Sequence, residues 1–177
     1  MTPLITTQTL FDFSDNRAYT AFYNVDDGVM GGVSQGNLRR GDGTLVFSGT
    51  VRLENNGGFS SMSSRFESVD LSGFDGMWLR VRGDGKRYRI HLKDRATLGP
   101  VVYQATFMTR ADEWIDAYIA FASLRPQWYG QSIPALPINT RHISAFTVII
   151  EDKQKGTFAL EIARIGAYKG DALQQFV

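Results

Sequence analysis

Cysteine is absent from the chain, which excludes a disulfide framework, thiolate zinc sites, iron–sulfur clusters and cysteine nucleophiles in one step. That absence fits a reducing compartment. Only two histidines, His91 and His142, are present, far apart in sequence, and the acidic residues are scattered. No metal-ligating spacing emerges from them, so neither a metal nor a cofactor is expected. A calcium ion held by loop carboxylates and carbonyls stays open as an alternative. The apolar runs fall far short of the ~20 residues that a membrane-spanning helix requires. Residues 1–8 lack the basic start and apolar stretch of a signal peptide. Charge of one sign is missing too: 19 basic side chains face 18 acidic ones, so no bulk field draws the chain toward nucleic acid or a membrane. A cytoplasmic protein without a transmembrane segment or a nucleic-acid partner is the expectation.

What the chain does carry is glycine, aromatic side chains and a two-residue rhythm. Its 177 residues match one domain, long enough to fold without covalent staples. The core is expected between residues 10 and 168, with loose ends at 1–8 and 169–177. Leu45, Phe47, Val51 and Leu53 occupy alternate positions. Leu79 and Val81 alternate with Trp78, Arg80 and Arg82, and Tyr88, Ile90 and Leu92 alternate with Arg87, Arg89, His91 and Lys93. Residues 101–108, 114–121, 146–150 and 158–165 read the same way, each bounded by Gly, Asp, Asn or Pro. Short alternating runs between turn signals predict an all-β antiparallel sandwich or barrel. One short helix is expected near 14–21, capped by Ser14 or Asp15. Residues 122–140, with three prolines around Trp128 and Tyr129, predict a long ordered loop.

Two motifs invite chemistry. Gly32-Val33-Ser34-Gln35-Gly36 matches the nucleophile elbow of hydrolases, which needs a buried strand before the serine and a helix after it. Here a glycine-rich loop precedes it and a strand follows, so the match is read as accidental. Gly83-Asp84-Gly85 suits a tight turn, since Asp and Gly accept the required dihedrals. If residues 83–86 close a hairpin, Arg82 faces Arg87, Arg80 faces Arg89 and Trp78 faces His91. One surface would then gather Trp78, Arg80, Arg82, Arg87, Arg89, His91 and Lys93. Like charges placed opposite one another repel, so such a surface needs neutralising acids or an anionic partner. Asp94, Asp116, Glu151 and Asp152 are the candidate acids. Arginine beside tryptophan is the composition of binding hot spots. Trp128 and Tyr129 are further candidates, placed to stack on a sugar ring or to cover a sheet edge.

The glycine-rich blocks carry a family resemblance. They are Asp27-Gly28-Val29-Met30-Gly31-Gly32-Val33-Ser34, Leu45-Val46-Phe47-Ser48-Gly49, Glu54-Asn55-Asn56-Gly57-Gly58-Phe59-Ser60-Ser61 and Gly83-Asp84-Gly85-Lys86-Arg87-Tyr88. In order and spacing the chain resembles the complex I intermediate-associated protein 30 family over residues 10–168. The resemblance implies a galactose-binding-like jelly roll with at most short helices. It also implies a non-catalytic, chaperone-like role, since eukaryotic members are mitochondrial assembly factors for respiratory complex I. The chain looks like a stand-alone bacterial member. Within the motif, Asp27 is expected to accept N–H bonds from the 29–32 turn, Asn55 and Asn56 to brace it, and Phe59 to plug the core beneath. Met30 and Ser34 complete the candidate binding residues on these loops. The expected partner is a protein client, such as respiratory-complex subunits or assembly intermediates. A glycan on a carbohydrate-binding module of the same fold is the alternative, and an uncharacterised hydrolase a third.

Overall fold

The computed structural model describes residues 4–96 and 99–172. Thirteen strands are described, and the first seven are β1 (Thr6–Asp12), β2 (Tyr23–Asp26), β3 (Gln35–Arg40), β4 (Leu45–Val51), β5 (Ser60–Val69), β6 (Gly76–Arg82) and β7 (Arg87–Asp94). The rest are β8 (Val101–Met108), β9 (Trp114–Ala120), β10 (Arg125–Trp128), β11 (Gln131–Ser132), β12 (Ile143–Ile150) and β13 (Gly156–Lys169). The α-helix α1 is the single turn Asn16–Thr20, and Asp15 caps it by accepting the Arg17 N–H. Short 3-10 turns complete the chain.

The strands form two antiparallel sheets. One runs β3-β4-β13-β6-β9, with β1 also on β13; the other runs β11-β10-β8-β7-β12-β5-β2. β13 is long enough to pair β4 through its first half and β1 through its second, while β6 lies along its other edge. Alternation supplies each sheet with one apolar face. Leu45, Phe47, Leu79, Val81, Leu160, Ile162 and Ile165 point inward from the six-stranded sheet. Met62, Tyr88, Ile90, Leu92, Tyr103, Phe146, Val148 and Ile150 meet them from the seven-stranded one. The architecture is the expected jelly-roll sandwich.

Three sequence expectations need correction. The first is the β6–β7 hairpin: the two strands lie in different sheets, and the 83–86 turn carries the chain across the core. Asp84 fixes that crossing, accepting N–H bonds from Lys86 and Ala159 and the Tyr88 hydroxyl. Second, the 122–140 segment contains β10 and β11. Pro126 is tolerated in β10 because this strand is short and close to the sheet's edge. Third, the supposed loose start is a strand from Thr6 onward, paired with the end of β13. Residues 1–3 and 173–177, expected to be loose, lie outside the described residues.

Candidate functional site

The two glycine-rich stretches meet around one carboxylate. After β2 the chain makes a 3-10 turn at Asp27–Met30, closed by Gly31 at φ 86°, a conformation that favours glycine. Asp27 is fully buried. Its Oδ1 accepts the Ser34 N–H at 2.9 Å, and its Oδ2 accepts the Ser34 hydroxyl at 2.6 Å, the Gly58 N–H at 2.6 Å and the Phe59 N–H at 3.3 Å. Burial pushes the carboxyl up, but these bonds from Ser34, Gly58 and Phe59 outweigh it and hold the group below the usual carboxylate range. Asp27 therefore ties two distant loops together rather than bracing its own 29–32 turn, whose Gly32 N–H goes to the Asp27 main-chain carbonyl. Gly32 is required by space: a Cβ there would stand 2.4 Å from the Asp27 carboxyl carbon.

The surrounding side chains extend this frame. Asn55, at φ 59°, donates to the Gly31 carbonyl, while Asn56 sits exposed beside it at φ 58°. Ser34 is buried, and its hydroxyl bonds Asp27 and the main chain of Arg52, with no histidine among its partners. That geometry belongs to a structural serine, not to a nucleophile awaiting a base. The preceding Asp26, which the sequence did not single out, accepts the Gly36 N–H and the Ser60 hydroxyl and so sets where β3 begins. Phe59 is only half-buried and lies outside the core cluster, unlike the expected plug. What the frame presents outward is apolar: Val29 is 75% exposed, Met30 69% and Val33 39%.

The arginine residues do not share one surface. Trp78, Arg80 and Arg82 are on the outer face of the six-stranded sheet; Arg87, Arg89 and His91 are on the outer face of the other, directed away from them. Asp116 accepts both the Trp78 indole N–H and Arg80, and Glu161 pairs with Arg82. The two guanidinium groups also flank the Trp114 ring, at 5.7 and 5.4 Å from its centroid. Arg89 is held by Glu151 and Asp152, each at 2.8 Å. Asp94, by contrast, is buried and accepts the Asn139 N–H. Arg87 stays exposed.

The seven-stranded sheet has a further feature that needed strand order to be visible. Its register aligns Tyr23, Ser63, Thr147, His91, Gln104 and Arg125 across six strands. At a strand spacing of about 4.8 Å, this polar row extends roughly 24 Å over the outer face. Ser63 and Thr147 share a hydroxyl–hydroxyl bond at 2.8 Å, and the buried His91 Nε2 has no hydrogen-bond partner among the described residues. Burial, aided by Arg89, pushes the imidazole pKa down to about 4, so the ring is neutral at physiological pH. Trp128 and Tyr129, 52% and 81% exposed, stand at the end of β10 on the sheet's far edge, apart from both the row and the 27–34 loop.

Comparison with known proteins places this geometry. A family model described as Complex I intermediate-associated protein 30 (CIA30) matches residues 11–162. No curated protein matches. Among solved structures, the family 11 carbohydrate-binding module of the cellulosomal cellulase Lic26A-Cel5E of Clostridium thermocellum is similar with a TM-score of 0.64 and 15% identity, over 98% of this chain and 99% of that one. A family 11 module from Clostridium thermocellum, in complex with a β-1,3-1,4-mixed-linked tetrasaccharide, gives 0.63 and 16%, over 96% and 98%. The agarase AgWH50C gives 0.65 and 12%, but the match spans 91% of this chain and only 24% of the agarase. At such identities the likeness is one of fold.

Proposed function

The chain belongs to the Complex I intermediate-associated protein 30 family, and on that premise we propose that it is a non-catalytic binding module that docks a protein client through its 27–34 loop. The observation that carries this reading is the exposure of Val29, Met30 and Val33 on a loop held by the buried Asp27. A rigid loop loses little conformational entropy on binding. Burying Val29 and Met30 against a partner would contribute about 1.5–3 kcal/mol each. The nearby charges favour a protein over an anionic bilayer, since Arg52 is paired with Glu54 and residues 24–36 carry no lysine or arginine. The client is an assembling protein complex, with respiratory complex I the first to test because the family takes its name from it. The test is affinity purification from the native host with the wild-type chain and the double variant Val29→Asp/Met30→Asp. Both side chains are exposed, so the variant should keep the wild-type melting temperature while capture of complex subunits falls about tenfold or more. Equal recovery by both proteins would reject the loop as the docking surface.

A second reading is favoured by the polar row. An unbroken line of hydroxyl, amide, imidazole and guanidinium groups suits the hydroxyls of an extended saccharide. The likeness to a module solved with a mixed-linked tetrasaccharide supports it. Calorimetric titration with that tetrasaccharide and with agaro-oligosaccharides decides the matter. Binding that weakens at least about tenfold in Gln104→Ala/Thr147→Ala would establish the row as a glycan site; no heat with any of them would remove it.

A further inference from the structure

The lateral side of the sandwich opposite the 27–34 loop has a cavity of about 290 Å³. It is lined by residues 104–107 of β8 and residues 117–120 of β9. Successive side chains of a strand point to opposite faces, so a cavity lined by four consecutive residues is lined by the strand's edge. Both edges are free there. β10 pairs with β8 only as far as Gln104, and β9 ends its sheet with β6 as its one neighbour. Among the described residues, no main-chain group outside β6 bonds the main chain of Trp114–Ala120, and the Ala120 carbonyl accepts only the Ser123 hydroxyl there.

Sheet edges are normally guarded against new pairing by charge, proline, bulges or shortness. The other edges of this fold follow that rule. β3 carries Arg39 and Arg40 and contacts β2, β1 is bulged between Thr9 and Phe11, β2 has four residues and β11 two. β9 is guarded least: its one charge, Asp116, is held by Arg80 and Trp78 of β6, it has no lysine, arginine or proline, and it pairs β6 without a register shift.

We infer that the free edge of β9 is a docking site for an extended peptide segment of a partner protein, added as a further strand of the six-stranded sheet. Main-chain bonds supply the affinity in this mode of recognition, and alternate side-chain positions supply the selectivity. Every second residue of the peptide faces Ala117, Ile119 and Phe107 and is a small apolar one. The outer wall of the slot is formed by Arg125, Gln127 and Ser132 of β10 and β11. Arg125 bonds only main-chain carbonyls, those of Ala122 and Leu124, and has no carboxylate partner among the described residues. The peptide therefore carries an acidic side chain opposite it. This site is separate from the 27–34 loop and does not depend on docking there; it shares Gln104 and Arg125 with the polar row and is told apart from it by main-chain protection of β9.

Hydrogen–deuterium exchange on the full chain tests the proposal. The probes are a short synthetic peptide of alternating valine and threonine with a central glutamate, and its glutamine counterpart. The expected result is a monomer in which the glutamate peptide slows exchange across Trp114–Ala120 by about tenfold and leaves β3 unchanged. Arg125→Ala should weaken the glutamate peptide severalfold and the glutamine peptide hardly at all. Absence of slowing at saturating peptide overturns the proposal, as does protection of β3 instead of β9. Equal binding of the two peptides to the wild type overturns the acidic assignment. Self-association that protects β9 without any peptide overturns it as well, giving the edge to a second copy.

Discussion

At the scale of the residue, Asp27 concentrates more consequence than any arginine proposed from the sequence. One carboxylate satisfies the main-chain donors of Ser34, Gly58 and Phe59 and the Ser34 hydroxyl, in a position without solvent. Asp27→Ala leaves those buried donors unmet, at about 1–3 kcal/mol for each that water does not reach. A loss of about 3–5 kcal/mol in denaturant-determined stability is expected, together with local loosening of both loops. Asp27→Asn keeps the shape and one acceptor and should lose less. The pH dependence separates charge from shape. Because the folded carboxyl lies below its unfolded value of about 3.9, its stabilisation is fully present above that value and disappears as pH falls through the folded one. The stability gap between wild type and Asp27→Asn should be constant above about pH 5 and narrow below about pH 4. A gap that stays the same down to pH 3 would mean the negative charge contributes nothing.

At the scale of the element, the strands were legible because a half-buried strand writes its two faces into alternate positions. Leu79, Val81, Tyr88 and Ile90 all point inward, as their spacing predicts. What alternation does not encode is sheet membership. Apolar faces turned to the same core look identical whether two strands share a sheet or oppose each other across it. The arginine surface failed at that step: its inward and outward positions were right, while its pairing was not. The same limit hid the polar row, whose members come from six strands spread over much of the chain. β10 and β11 were hidden by proline and by length, since a strand of two residues carries no period. The loops lie between these cases. Their glycine blocks brought out Asp27, Ser34 and Asn55, which the fold sets side by side, but the carboxylate's partners at Gly58 and Phe59 are set by tertiary approach and leave no local trace.

At the scale of the whole molecule, the two outer sheet faces and the two lateral sides divide the surface into different chemistries. The outer faces hold most of the arginines of the predicted patch already matched: Arg80 with Asp116, Arg82 with Glu161, Arg89 with Glu151 and Asp152. Exposed pairs of this kind contribute little to stability, but they remove the electrostatic attraction an unpaired cluster would exert on an acidic client. One lateral side presents the apolar loop tip, the other the free edge of β9. A client held by the loop is therefore held mainly by desolvation of Val29, Met30 and Val33. Screening shortens the reach of charge from about 10 Å at 0.1 M salt to a few Å near 1 M, and strong salting-out ions even strengthen apolar burial. Client capture by the wild-type chain should accordingly survive a rise from about 0.1 M to about 0.5 M sodium chloride with less than a threefold change in Kd. A charge-driven contact through the outer-face arginines would weaken steeply over that range, and Arg80→Glu/Arg89→Glu would weaken it again at low salt. Binding that follows the second pattern would move the docking surface from the loop to the sheet faces, because net charge alone, at +1, supplies too little attraction to imitate it.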